Sequence, residues 1–182
     1  MTRFISVRSR KDRAKNRLKT SKSIIDRTFS PGEQRGWPAA MPSILVVDDN
    51  CVNRQVFRAM IASFGCEVAA ASSGEEAVLA MRAFGENFQK VADTTVAKRE
   101  CQRRLVVMDV HLGQGMDGYV AAEMIKADAA AQGIPPPHIV IVSGDEPSEV
   151  QERCSRCGLD FLPKPVGREQ FRNVLSAHGI AV

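Results

Sequence analysis

The sequence predicts an α/β fold: a doubly wound, five-stranded parallel sheet with helices on both faces. Three observations carry this. Short β-branched apolar runs, Ile44-Leu45-Val46-Val47 and Leu105-Val106-Val107-Met108 among them, suit strands buried on both sides. Helical periodicities lie between these runs, in the order βαβαβαβαβα, which calls for right-handed crossovers. The runs also end on reactive side chains: Asp48-Asp49, Asp109, Ser143 and Lys164. In open α/β sheets ligands bind just beyond the carboxyl ends of the strands, so these groups converge on one crevice.

A length of 182 residues allows one domain with a substantial core plus a tail. The net charge of +4 is unevenly spread: residues 1–40 hold 11 Lys/Arg against 3 Asp/Glu, and residues 41–182 hold 14 against 18. Residues 1–42 read as a basic, solvated and disordered arm that ends in a linker, Pro31, Gly32, Gly36, Pro38 and Pro42. The Arg-rich, acid-poor start also fits an organelle transit peptide, but Arg8 to Lys22 has almost no apolar face. No apolar stretch is long enough to span a bilayer, and no secretory apolar core follows Met1. Five cysteines without a disulfide-framework spacing fit a reducing compartment, the cytoplasm.

The folded domain is expected over residues 43–182. Ile44 to Asp48 is the first strand. Val52, Val56, Met60, Ile61 and Phe64 recur at helical spacing, with Asn50 as N-cap and Gly65 as stop. Glu67 to Ala71 is a short second strand. Ser73 stands three residues ahead of Glu76, the pattern of a capping box, and opens a second helix whose repeat Gly85 interrupts. An extended segment at about 85–104 follows, with a basic end at Lys98, Arg99, Arg103 and Arg104 that reads as a solvated edge or a docking surface. The third strand is Leu105 to Asp109, then a Gly-rich loop from His111 to Gly118 and a helix from Tyr119 to Ala131 capped by Asp117. His138 to Val142 is the fourth strand, Pro147 to Cys157 a helix with Pro at its start, Asp160 to Pro163 the fifth strand, and Arg168 to His178 the last helix.

Taken singly, each strand-end residue has a plain reading. A lone Asp after a strand is usually a turn former or cap, and Ser143 or Lys164 alone would be a loop serine or a solvated lysine. Cys154-Ser155-Arg156-Cys157 lacks a second ligand pair for zinc, so core packing is favoured for Cys154. His111 and His138 are unspecific by themselves. The joint order is what has meaning. Val46-Val47-Asp48-Asp49-Asn50, Met108-Asp109 with Met116-Asp117-Gly118, Val142-Ser143-Gly144 and Leu162-Pro163-Lys164-Pro165 together resemble the receiver domain of two-component response regulators. Asp48-Asp49-Asn50-Cys51-Val52-Asn53-Arg54 is similar to the receivers of hybrid histidine kinases.

The resemblance implies a flavodoxin-like strand order 2-1-3-4-5 and a phosphoacceptor, Asp109, that takes a phosphoryl group from phosphohistidine. It implies Mg²⁺ held by Asp49, Asp109 and the backbone carbonyl of His111, with Asp48 acting indirectly. Lys164 and Ser143 would contact the phosphoryl oxygens, and Ser143 with Phe161 would form the switch, Phe161 standing where Tyr is common. His111 would tune the phosphoryl lifetime, and Lys164-Pro165 would be cis. The protein would promote its own Mg²⁺-dependent phosphorylation and dephosphorylation without being an enzyme in the ordinary sense, and could be part of a hybrid histidine kinase. Its partners would be a histidine kinase or a histidine phosphotransfer protein.

The loop after Asp109 departs from the family pattern: it is one residue longer and lacks Pro, and Gly113 and Gly115 should make it mobile. An alternative function is a binding module of receiver fold, attached by its basic arm to nucleic acid or an anionic membrane with little phosphotransfer. The arm from Arg8 to Lys22 has no aromatic residue to stack on bases, which counts against sequence-specific recognition.

Overall fold

The computed structural model describes residues 44–89 and 104–180, the side chains of 87–89 excepted. The basic segment 1–42 and most of the extension at 85–104 lie outside the described residues. In chain order the elements are β1 (Ile44–Val47), α1 (Cys51–Ala62), β2 (Val68–Ala71), α2 (Gly74–Gln89), β3 (Leu105–Asp109), α3 (Gly118–Ala131), β4 (His138–Ser143), α4 (Pro147–Cys157), β5 (Asp160–Pro163) and α5 (Arg168–Ala177). The five strands are all parallel, in the order β2-β1-β3-β4-β5.

Side chains alternate across a strand, and here the alternation divides the core in two. Leu45, Val47, Val106, Met108, Ile139 and Ile141 point to one face, where Ala77, Ala80 and Met81 of α2, Ala121, Ala122 and Ile125 of α3 and Val150 and Cys154 of α4 cover them. Ile44, Val46, Leu105, Val107, Val140 and Val142 point to the other, beneath Phe57 and Ile61 of α1 and Phe171 and Leu175 of α5. The Phe57 and Phe171 rings meet at 6.0 Å between centroids and join those two helices. Cys154 is fully buried in the first cluster, as core packing requires.

The expected faces and bounds need four corrections. Val52 and Val56 are 60% and 55% exposed; Ile61 is buried as expected and Met60 and Phe64 pack against the core, but Phe57, one residue and so about 100° further round the helix, is buried in place of Val56. α1 ends at Ala62 with Ser63 at its C-cap, and Gly65 follows with φ +79°. Gly85 does not interrupt α2: it is buried in the helix, and a Cβ there would strike the Gln132 side chain. The capping box is only half formed. Glu76 N–H donates to Ser73 Oγ (3.2 Å), while the Glu76 carboxylate turns to Ser72 N–H and Oγ (2.6 and 2.8 Å).

The expected caps at Asn50 and Asp117 are present. Asn50 Oδ1 accepts from Val52 N–H (2.8 Å) and Asp117 Oδ1 from Val120 N–H (2.8 Å). The Lys164–Pro165 peptide is cis.

The register brings the strand ends level. Val47 pairs with Met108, Asp109 with Val142, and Ser143 with Pro163. Asp48 and Asp109, each one step beyond the Val47–Met108 pair, therefore emerge side by side, about one strand spacing of ~5 Å apart. Close approach of α3 secures this edge, because a Cβ on Gly118 would collide with the Asp109 carbonyl oxygen. Gly118→Ala should cost about 1–3 kcal/mol by forcing that backbone apart. Urea unfolding of the variant against the parent protein measures it, and an unchanged midpoint would contradict the packing described.

Candidate functional site

β1, β3, β4 and β5 deliver Asp48-Asp49, Asp109, Ser143 and Lys164 to one crevice at the carboxyl edge of the sheet. Side-chain oxygens of Asp48, Asp49 and Asp109 lie within 4.8 Å of one another. Asp48 and Asp109 are buried and Asp49 is exposed. Lys164 Nζ reaches across from β5 to within 2.7 Å of Asp109 Oδ2 and 3.6 Å of Asp48 Oδ2. Its backbone N–H donates to the Ser143 carbonyl (2.7 Å), which ties the ends of β4 and β5 together at the site.

Such crowding of like charge is held by donors aimed at it. Asn50 N–H donates to Asp48 Oδ1 (2.9 Å), and Asn53 Nδ2 to both oxygens of that carboxylate (3.2 and 3.0 Å). Arg54 Nη1 donates to the backbone carbonyls of Asp48 and Asp49 (2.6 and 2.9 Å), fixing the turn from β1 into α1. Burial pushes the Asp48 carboxyl above its ordinary value and the Asp109 charge adds to this. The Asn50 backbone, Lys164 and Asn53 pull it back. Three hard carboxylates converging on one point are the donor set of a small divalent cation such as Mg²⁺, which takes few protein ligands and keeps several waters. Among the described residues no other group of three or more acidic, His or Cys side chains converges in this way.

The loop from β3 to α3 is better anchored than its glycines suggest. Leu112 is buried in the core, and Gly118 N–H donates to the Val110 carbonyl (2.9 Å). Met116 N–H donates to Glu75 Oε1 (2.8 Å), and backbone hydrogen bonds hold the Glu75 carboxyl below its usual range. Gly113 supplies the positive φ of +76° that the tight path needs. The mobility expected of this loop is thus offset by contacts with α2 and the core.

The His111 ring is exposed and lies over the β4 loop, its Nε2 2.9 and 3.0 Å from the two oxygens of Asp145. Ser143 Oγ is completely buried and donates to Asp145 Oδ2 (2.9 Å), rather than pointing to Asp109. Phe161, on β5, is half-buried and packs on the core of the α2–α3–α4 face.

Four residues at the site escaped the sequence reading: Asn53, Arg54, Glu75 and Asp145. Asn53 and Arg54 carried a local signal, since polar residues in the first turn of a helix that starts at the site face back onto it. Asp145 stood two residues after Ser143. Glu75 carried none, because its partner Met116 is 41 residues away.

The model of the response regulator receiver domain matches residues 44–176. Hybrid signal transduction histidine kinase L of Dictyostelium discoideum is 26% identical over 155 residues, 84% of this chain and 8% of that protein. The osmosensing histidine protein kinase SLN1 of Saccharomyces cerevisiae is 31% identical over 135 residues, 73% of this chain and 10% of that protein. The chain therefore spans a tenth or less of the length of these relatives. The receiver domain of the histidine kinase CKI1 from Arabidopsis thaliana, solved with Mg²⁺ and BeF₃⁻, superposes with a TM-score of 0.61 at 27% identity, over 75% of this chain and 88% of that one. The receiver domain of the sensor histidine kinase PA1611 from Pseudomonas aeruginosa, solved with magnesium in its active-site cleft, gives 0.52 at 28% identity, over 75% and 96%. A five-stranded sheet of this order, an acidic cluster facing a lysine across its carboxyl edge, and a family match over most of the chain agree: the protein belongs to the response regulator receiver domain family.

Proposed function

We propose that this domain takes a phosphoryl group from a phosphohistidine onto Asp109 and, so charged, switches a protein-interaction surface. The observation that carries this reading is the Asp109 carboxylate held 2.7 Å from Lys164 Nζ beside two further acids. A carboxylate is a weak nucleophile and the transferred group is highly charged, so the work is positioning and charge neutralisation. An Asp109 oxygen attacks phosphorus, the P–N bond breaks, and its electron pair leaves with the imidazole of the donor. Lys164 stands ready to follow the charge from the carboxylate to the phosphoryl oxygens.

Asp49, Asp109 and the His111 carbonyl would hold Mg²⁺, with Asp48 supporting through its hydrogen-bonded carboxylate. When bound, that ion supplies positive charge against the crowded oxygens of the acids and the phosphoryl group. The His111 ring is engaged with Asp145 through Nε2, and the ligand atom proposed for Mg²⁺ is the backbone carbonyl. Ser143 and Phe161 are the switch pair, the hydroxyl moving to the phosphoryl group and the ring following it inward.

The donor is a histidine kinase or a histidine phosphotransfer protein, and Val52 and Val56, exposed at the site end of α1, offer it apolar ground. A place within a hybrid kinase accords with the large relatives. Cys51, Cys154 and Cys157 are free thiols, in keeping with a reducing cytoplasm, and no described helix is long and apolar enough to cross a membrane.

Incubation with a phosphorylated phosphotransfer protein and Mg²⁺ should label the wild type, while Asp109→Asn and removal of the metal by EDTA should each abolish the label. An equally labelled Asp109→Asn protein would place the acceptor elsewhere. His111→Ala should alter the half-life of the phosphorylated form severalfold; an unchanged hydrolysis rate would remove His111 from that role.

Burial of Asp48, with the neighbouring Asp109 charge, also sets a pH dependence. Because the folded Asp48 carboxyl titrates above its ordinary 3.8, its charge costs stability above the folded value, and the cost fades as pH falls through that window. Asp48→Asn should therefore raise the melting midpoint of the metal-free protein near neutral pH and lose this advantage in acid. A variant less stable than the parent at neutral pH would contradict the strain described.

A further inference from the structure

We propose that Asp145 is a positioning residue: it holds the Ser143 hydroxyl away from the phosphoryl site in the unmodified protein, with His111 as its clasp. The inference rests on the phosphoacceptor reading and adds to it a restraint on the resting state. Ser143 is 0% exposed, and its Oγ lies 2.9 Å from Asp145 Oδ2 while the Asp145 N–H donates back to it at 3.1 Å. A serine hydroxyl has one proton to donate. Directed at Asp145, that proton is not available to a phosphoryl oxygen on Asp109.

Asp145 is itself held from the opposite side. β3 and β4 pair Asp109 with Val142, so His111 and Asp145 stand two and three residues beyond paired positions, on neighbouring loops. His111 Nε2 closes that gap, 3.0 and 2.9 Å from the two Asp145 oxygens. A half-exposed carboxylate on a loop would otherwise turn to water; bonded by both His111 and Ser143, it stays over the hydroxyl. The same two hydrogen bonds hold its carboxyl below the usual range.

Switching then means that Ser143 exchanges one charged acceptor, Asp145, for another, the phosphoryl group. An exchange between two such acceptors is nearly balanced, so the strength of the Asp145 contact sets how much of the protein is ready to switch. Asp145 also adds a negative charge at the mouth of the site. That effect needs no hydroxyl, which separates it from the latch.

The test uses the full chain with Mg²⁺ and beryllofluoride, a non-covalent phosphoryl mimic, followed by amide NMR. Asp145→Ala should tighten beryllofluoride binding on the order of tenfold, the scale of one hydrogen bond to a charged group. In a Ser143→Ala background the same substitution should tighten binding far less, by the loss of the Asp145 charge alone. Ring nitrogen spectra of the metal-free wild type at mildly alkaline pH should show the His111 proton on Nε2, and Asp145→Ala should abolish that preference, a signature that a general effect on stability would not give. Equal tightening in both Ser143 backgrounds would reduce Asp145 to a source of charge repulsion and overturn the proposal, as would no tightening at all. If the Ser143-dependent tightening appears in a protein that takes no label from phosphohistidine, the latch stands and the phosphotransfer reading falls.

Discussion

Three carboxylates whose oxygens come within 4.8 Å of one another, two of them buried, are the constraint that the carboxyl edge of the sheet must meet. Each is repelled by the others, and burial removes the water that would screen them. The carboxyl edge is built around this repulsion. Lys164 crosses from β5 to meet Asp109, Asn53 and the Asn50 backbone donate to Asp48, and Arg54 holds the carbonyls of the turn that carries Asp48 and Asp49. Burial first, and then the Asp109 charge, still hold the Asp48 carboxyl above its ordinary value against these donors. What the donors leave is an affinity for positive charge, which a divalent ion can satisfy.

Such a site works only if it does not collapse, and the sheet keeps it open. Val47, Met108 and Val142 are buried and paired with their neighbours immediately below the acids, so the strand ends cannot spread or slide without exposing core. Gly118 lets α3 approach until it touches the Asp109 carbonyl, and Glu75 reaches from α2 to the Met116 backbone. The loop that carries His111 is therefore fastened at both ends, although its two glycines would make it pliable alone. Rigid support below and adjustable groups above suit a site whose charge changes while its backbone frame persists.

The adjustable groups lie on the β4 and β5 side. Ser143 is buried, its hydroxyl bonded to Asp145 and its carbonyl to the Lys164 backbone. Phe161 is only half-buried in the adjoining strand. In the proposed reading, charge arriving at Asp109 would act on these contacts, with Asp145 and His111 on one side and Lys164 on the other.

The sequence by itself determined the layers and the identity of the strand-end residues. Apolar runs such as Leu105 to Met108 have no polar face to expose, and the ordered recurrence of Asp48-Asp49, Asp109, Ser143 and Lys164 at their ends was visible without coordinates. Local caps at Asn50 and Asp117 were equally legible, because a cap acts within three residues of itself. Tertiary structure alone decided the rest. That Phe57 and not Val56 is buried on α1 goes with Phe171 of α5 meeting Phe57, a contact that the periodicity of α1 does not contain. Gly85 continues α2 because Gln132 packs against it, a neighbour 47 residues away. The partners of the acidic and hydroxyl groups, Asn53, Arg54 and the Asp145–His111 pair, follow from side-chain directions at a crowded edge. Hydrogen bonds there are set by distance in space, which a linear pattern of residue types does not encode.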